Sequence, residues 1–138
     1  MAFTIDVDIV SQEAKLFSGK GELIAIPGES GELGITFGHA QLLTALKPGP
    51  VRVVNGEEQE IYYVSGGFAE IQPFKVTVLA DVVQRAADLD ENLALEAKRH
   101  AEQLLKDKKA DANYAEVLAE LAEAAARLEV IRRLKRQK

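Results

Sequence analysis

One stretch indicates the fold: VRVVNGEEQEIYYVSGGFAEIQPFKVTVL, residues 51–79. β-Branched and aromatic residues form four short runs in it, and turn-forming residues separate the runs. Asn55-Gly56 suits the positive-φ positions of a tight hairpin turn, and two further turns are predicted at residues 65–67 and 72–73. Short strands with turns at this spacing are typical of an antiparallel sandwich or a flattened barrel.

The residues before this stretch follow the same pattern. Apolar side chains alternate with polar ones from Phe3 to Ile9, which predicts a strand with one buried face. A second apolar run, Leu23 to Ile26, ends at Pro27-Gly28, where we predict a turn. The sequence therefore predicts one antiparallel β-domain over residues 1–86.

The hydrophobic period changes near Asp88. Glycine and proline are absent from there to the end, and good helix formers dominate. Asp88 and Glu91 have the spacing of a capping pair, and the first helix is expected to carry an apolar stripe. The stripe comprises Leu89, Leu93, Ala97, Ala101, Leu104 and Leu105.

A second helix is predicted after the polar segment at residues 106–112. Asn113 and Glu116 have the spacing of a capping box. The apolar residues that follow recur at spacings of four and three, which indicates a narrow seam for one partner helix: Val117, Leu121, Ala124, Leu128 and Ile131. The fold class is therefore α+β, with an antiparallel two-helix hairpin over residues 87–138.

The amino-acid composition excludes several kinds of site and several classes of protein. The 138 residues include no cysteine, which excludes disulfides, thiolate metal sites and cysteine nucleophiles. No window is apolar enough for a membrane span, and the first residues lack the basic region of a signal peptide, so we expect a soluble protein. The formal net charge of −5 argues against a nucleic-acid partner.

The charge is unevenly distributed. Residues 1–84 carry eleven acidic and five basic side chains, whereas residues 127–138 carry six basic side chains and one acidic one. Basic residues at a helix C-terminus interact favourably with the helix dipole, but this explains only two or three of the six. The remainder suggest contact with an acidic surface on a partner or with an anionic polymer.

No pattern in the chain assembles an active site. The glycines at residues 28–34 lack the order of a phosphate-binding loop, and turn formation explains them better. His39 has no partner at catalytic or metal-binding spacing. We interpret the acidic pairs Asp6/Asp8 and Glu57-Glu58 as charged side chains exposed to solvent. We predict no catalytic residue, no metal site and no cofactor.

Several segments resemble the epsilon subunit of bacterial F-type ATP synthases. The hallmark pieces are GELGI at residues 31–35 and GHAQLLT at residues 38–44. Further similar pieces follow in the family's order: DIVS at 8–11, FSG at 17–19, KPGP at 47–50, VSGG at 64–67, VTVLAD at 76–81 and EAKR at 96–99.

The resemblance implies a non-catalytic rotor subunit. In that family the β-sandwich connects the gamma subunit, in the central stalk, to the membrane-embedded c ring. Glu32 and His39 match the region that meets the ring and gamma. Membrane association is expected only through the complex, peripherally, on the cytoplasmic face of the bacterial inner membrane.

The resemblance also implies a mobile hairpin. In this family the hairpin either lies on the sandwich or extends along gamma into the alpha/beta catalytic head, where it inhibits ATP hydrolysis. A short helix pair is marginally stable in water, which suits such a switch. Extension would bring five basic residues to the beta and gamma subunits: Arg127, Arg132, Arg133, Lys135 and Arg136.

The chain departs from the family at a nucleotide motif. Some members bind ATP through Ile/Leu-Asp-x-x-Arg-Ala on the hairpin. Leu89, Asp90 and Ala94 match this motif, but Leu93 replaces the arginine that would meet phosphate. We expect weak or absent ATP binding.

Two other function classes remain open on the residues alone. A small enzyme would need a catalytic constellation that the sequence does not display. A free-standing interaction module that dimerises through its helical seam is the stronger alternative.

Overall fold

The computed structural model describes residues 3–106 and 114–136. These residues form a β-domain of ten strands, a 3-10 turn at Ala86–Asp88, and helices α1 (Glu91–Lys106) and α2 (Tyr114–Arg136). The strands are β1 (Ile5–Val10), β2 (Lys15–Gly21), β3 (Leu23–Gly28), β4 (Gly31–Ile35), β5 (Leu42–Leu46), β6 (Gly49–Asn55), β7 (Glu58–Val64), β8 (Gly67–Ile71), β9 (Lys75–Ala80) and β10 (Val83–Arg85).

The strands form one strongly folded sheet in the order β10-β7-β6-β3-β5-β8-β9-β1-β2, with β4 paired to β3. The predicted α+β class, a β-sandwich or flattened barrel followed by two helices, is confirmed. One detail differs, because β1 and β9 run parallel, with Val7 beside Val76 and Ile9 beside Val78. Alternation in a sequence reports which face is buried but not the direction of the neighbouring strand.

The inward positions of the strands supply the core. Ile5, Val7 and Ile9 alternate with polar residues on β1, and all three are buried, as their spacing predicts. They pack with side chains from the other strands, including Ile24, Ile26, Val51, Val53, Val64, Ile71, Val76 and Val78. Removal of this apolar surface from water is the main force that closes the sheet.

One predicted turn is confirmed and another is wrong. β6 and β7 form the hairpin expected at Asn55-Gly56, with Asn55 opposite Glu58 and a positive φ of 61° at Gly56. Pro27-Gly28 is not a turn, because β3 continues through both residues. The chain reverses after Gly28, which lies opposite Gly31 in β4.

The N-terminus of α1 differs from the prediction. Asp88 lies in the 3-10 turn, and the carboxylate of Asp90 caps the helix by accepting the backbone N–H groups of Asn92 (2.9 Å) and Leu93 (3.2 Å). The helix begins at Glu91, and its buried alanines are Ala94 and Ala101. Leu93 and Ala97, which we placed in the apolar stripe, are exposed.

The seam predicted on α2 is confirmed. Val117, Ala124 and Ile131 are buried and Leu121 and Leu128 are half-buried, while α2 packs along α1. The pair formed by Lys135 near the end of α2 and Glu91 at the start of α1 shows that the helices are antiparallel. The capping box predicted at Asn113 lies outside the described residues.

A second buried face of α2 was not predicted. Ala126 and Val130 pack against Ile61 and Tyr63 of β7 and against Ala86, and together they form a small cluster apart from the main core. The hairpin therefore lies docked on the β-domain, over β6 and β7. Within residues 3–106 and 114–136, neither helix has the length and apolar character needed to cross a bilayer.

Candidate functional site

The acidic side chains in the described part of the chain form no group of three or more that could hold a metal ion. Asp8 is an example of an acidic side chain with a structural role. A hydrogen bond from the hydroxyl of Ser18 (2.8 Å), with the ammonium of Lys75 at 3.3 Å, lowers the pKa of the Asp8 carboxyl. A carboxylate held ionised in this way joins strands and is unsuited to act as a general acid.

His39 lies in the loop between β4 and β5. The ring Nδ1 donates to the carbonyl of Ala40 at 2.7 Å, so local geometry fixes the half-buried side chain. Gly38 has a φ of 85° and its N–H donates to the carbonyl of Pro73 (2.8 Å), which ties the loop to the β8–β9 turn. A glycine is required here by backbone conformation.

Three phenylalanines surround this loop. Phe37 stacks on Phe3 with ring centroids 5.1 Å apart and meets Phe74 at 5.2 Å, and all three are exposed. Clustered exposed aromatic rings are typical of interaction surfaces. We call Phe3, Phe37 and Phe74 the aromatic cluster.

Glu32 lies on β4 and not in the loop with His39. Its carboxylate binds the guanidinium of Arg52 on β6 at 3.0 Å and that of Arg133 on α2 at 3.4 Å. Glu32 and His39 therefore have different neighbours, and the structure does not bring them together as one contact point.

The basic residues of α2 divide into two sets. Arg127 and Arg133 turn toward the β-domain, where Arg133 reaches Glu32. Arg132, Lys135 and Arg136 are exposed: Arg132 pairs with Glu129 on its own helix, and Lys135 pairs with Glu91. Lys138 lies outside the described residues. The five basic residues are thus not one free surface while the hairpin is docked.

Arg127 lies over Tyr63. Its guanidinium carbon is 4.6 Å from the centroid of the tyrosine ring, and its Nε donates to Gln84 at 3.4 Å. Burial raises the pKa of the Tyr63 hydroxyl to about 12, which leaves the ring neutral at physiological pH. This cation–π contact joins the hairpin to the sheet.

An exposed apolar surface was missed in the sequence. Phe68 on β8 and Leu79 on β9 lie side by side, 56% and 52% exposed, with Ala45 and Val10 next to them on β5 and β1. Leu43, on the same face of β5, is also exposed. We call these five residues the outer apolar face. Apolar side chains at both inward and outward positions of β8 and β9 were the signal for it.

The residues of the nucleotide motif surround a cleft of about 350 Å³. Arg127 lines it, but so do Asp88 and Asp90, whose charges oppose a phosphate. Asp90 is already engaged as the helix cap, and Leu93 is 63% exposed at the position of the missing arginine.

We predict that the isolated protein has no micromolar affinity for ATP. Leu93→Arg adds a guanidinium at the cleft and should strengthen binding by about tenfold or more, the effect of one charge-assisted contact. Isothermal titration calorimetry would measure both proteins. Leu118→Arg, an equal charge change at an exposed position of α2, is the control. Micromolar affinity of the unaltered chain would contradict the prediction.

Comparisons with known proteins cover nearly all of the chain. A family model described as the β-sandwich domain of the ATP synthase delta/epsilon chain matches residues 4–86. A second, described as the long alpha-helix domain of the same chain, matches residues 87–132. A protein of Alkalilimnicola ehrlichii named ATP synthase epsilon chain is 54% identical over 136 residues, which are 97% of this chain and 96% of that protein.

Solved structures with the same fold come from two ATP synthases. A chain of the Euglena gracilis mitochondrial enzyme aligns with a TM-score of 0.74 at 20% identity, over 96% of this chain and 80% of its own. A chain from the central stalk and c-ring of the Tetrahymena thermophila mitochondrial enzyme gives 0.60 at 10% identity, over 94% and 98%. These likenesses concern the fold, whereas the family models and the 54% identical relative decide the family. The chain belongs to the epsilon subunits of F-type ATP synthases, which are non-catalytic subunits of that complex.

Proposed function

We propose that this subunit couples the catalytic head to the c ring through gamma, and that its hairpin inhibits ATP hydrolysis. The observation that carries the proposal is the division of the molecule into two unlike surfaces. A rigid β-domain exposes the outer apolar face, and a separately packed hairpin ends in basic residues. The first surface suits permanent attachment and the second suits reversible contact.

The outer apolar face is proposed to bind gamma. Several exposed apolar side chains gathered on one face of a sheet are typical of a surface that contacts another protein. Four adjacent strands present it, so the face is rigid and costs little conformational entropy when a partner binds. The seam that could have served a homodimer is covered by α1 instead.

We expect Phe68→Glu to weaken binding of purified gamma by about tenfold or more, since it places a charge at the centre of the face. Surface plasmon resonance with immobilised gamma would measure the affinity. Leu118→Glu makes a comparable change on an exposed leucine of α2 and should leave the affinity unaltered.

Sedimentation of the purified protein tests the same proposal independently. A monomer that forms a complex with gamma supports a stalk subunit. A stable homodimer, or a Phe68→Glu variant that binds gamma as tightly as the original, would contradict it.

The loop containing His39 and the aromatic cluster are proposed to face the c ring, and Glu32, which lies apart from them on β4, is proposed to meet the ring or gamma at a separate contact. The backbone conformation of Gly38 and the stacked phenylalanines restrict this loop, which lowers the entropic cost of binding a partner. In this proposal the subunit is peripheral on the cytoplasmic face of the bacterial inner membrane, and reaches the membrane only through the complex.

The hairpin is proposed to leave the β-domain and extend along gamma to the alpha/beta head. Its contact with the sheet centres on a small apolar cluster of five buried residues, separate from the main core. Detachment would therefore leave the core of the β-domain intact. Arg127, Arg132, Arg133, Lys135 and Arg136 would then bind acidic surfaces of beta and gamma and oppose hydrolysis.

A further inference from the structure

The carboxylate of Glu32 connects the two parts of the molecule. One oxygen accepts from Arg52 of the sheet at 3.0 Å and the other approaches Arg133 of α2 at 3.4 Å. Glu32 and Arg133 are 101 residues apart in the chain. The side chains of Arg52, Arg133 and Glu32 are 25%, 30% and 43% exposed, so water screens these interactions in part.

Few polar contacts join the hairpin to the sheet. Within the described residues, the hydrogen bonds and ion pairs between α2 and the β-domain are those of Arg127 with Gln84 and Arg133 with Glu32. The pair Lys135–Glu91 joins the two helices to each other and would move with them. Among the described residues, Glu32 is thus the one acidic side chain of the sheet that pairs with the last turns of α2.

We infer that Glu32 is an electrostatic latch for the docked hairpin, and that Arg133 is the residue it holds. The inference rests on the proposed function, because a latch matters only if the hairpin leaves the sheet. Arg52, on β6, donates to one oxygen of the Glu32 carboxylate and fixes it in position, so that the second oxygen is already oriented toward α2. Preorganisation lowers the entropic cost that makes most surface ion pairs weak.

The latch also determines how much positive charge the hairpin displays. Arg133 is bound to Glu32 and Arg127 lies over Tyr63 while the hairpin is docked. The exposed basic residues among the described part of α2 are then Arg132, Lys135 and Arg136. Undocking adds the other two guanidinium groups to the basic surface. An acidic partner that competes for Arg133 would therefore shift the hairpin toward its extended state.

The test uses the full chain, whose lack of cysteine permits clean labelling. Cysteines introduced at Glu57 and Ala119, both exposed, would carry a fluorescence energy-transfer pair that reports docking. We expect Arg133→Gln to lower the ratio of docked to undocked protein by about two- to fivefold, the range of measured partly exposed ion pairs. Glu32→Gln should lower it as well, and the double variant should lose less than the two single effects combined.

Arg132→Gln is the matched control, because it also removes a partner of Glu129 on α2 but leaves Glu32 bound. Added salt should weaken docking of the original chain and have less effect on the double variant. An Arg133→Gln chain that docks as well as the original, additive single effects, or an equal loss in Arg132→Gln would overturn the latch.

Hydrolysis by the assembled enzyme distinguishes the latch from the proposed function. A latch variant that alters docking, in an enzyme whose hydrolysis is insensitive to removal of the basic end, would uphold the latch and refute inhibition. A sensitive enzyme with unaltered docking in Arg133→Gln would do the reverse.

Discussion

Hydrolysis of ATP by the assembled synthase is expected to rise by about fivefold or more when the chain is ended at Ala126, a change at the lower end of typical coupling between sites. The deletion removes the basic end of α2 and with it Val130, a main contact of the docked hairpin. In the proposed mechanism the hairpin inhibits by binding acidic surfaces of beta. An arm without its charges would lose this attraction, so the catalytic sites would turn over freely. The steady-state rate of phosphate release from purified complexes measures the effect.

A charge-only variant separates lost attraction from lost structure. Replacement of the exposed bases Arg132, Lys135 and Arg136 by glutamine keeps Arg127 and Arg133 on the β-domain, and should give most of the increase. The control removes three positive charges from α1 by changing Lys98, Arg99 and Lys106 to glutamine, and should not activate the enzyme. An unchanged rate in the truncated complex would refute inhibition by the hairpin.

The second large effect is expected at Gly67, where alanine should destabilise the β-domain by about 3 kcal/mol or more. Gly67 has a φ of 135° and lies opposite Ala80, and an added Cβ would overlap the carbonyl oxygen of Leu79 and lie 2.8 Å from the Cα of Ala80. Both obstacles are backbone atoms of the adjacent strand, so no side-chain rearrangement relieves them. Urea denaturation followed by circular dichroism measures the free energy of unfolding.

Gly56→Ala provides the matched control for this prediction. Gly56 also has a positive φ, 61°, but no atom lies within 4 Å of the added Cβ. Its cost should be about 1 kcal/mol, which is the conformational penalty alone. Equal destabilisation by the two substitutions would show that φ, and not the close approach of β9, controls the effect at Gly67.

The N-terminus of α1 shows where prediction from a local sequence pattern fails. Asp88 is an acidic residue three positions before Glu91, as in a capping pair. Asp90 caps α1 instead, because the 3-10 turn at Ala86–Asp88 intervenes before the helix begins. That turn places Ala86 and Leu89 against the small cluster under α2. Tertiary packing thus selected between two acidic residues that the sequence cannot rank.

The outer apolar face and the division of the basic residues of α2 into two sets both result from the packing of neighbouring elements. Phe68 and Leu79 become one surface only because β8 pairs with β9, and Arg133 separates from Arg132 only because the orientation of α2 turns one toward the sheet. Neither fact is encoded in the spacing of residues along one element. Both follow from which elements lie next to each other.

The sequence by itself determined the β-domain, the hairpin at Asn55-Gly56 and the seam between the helices, since each depends on residues within a few positions of one another. The tertiary structure alone decided that β1 runs parallel to β9, that Val130 docks on Tyr63, and that Glu32 holds Arg133. Those contacts join residues far apart in the chain. Their energies depend on the packed arrangement of the whole molecule, which no local period records.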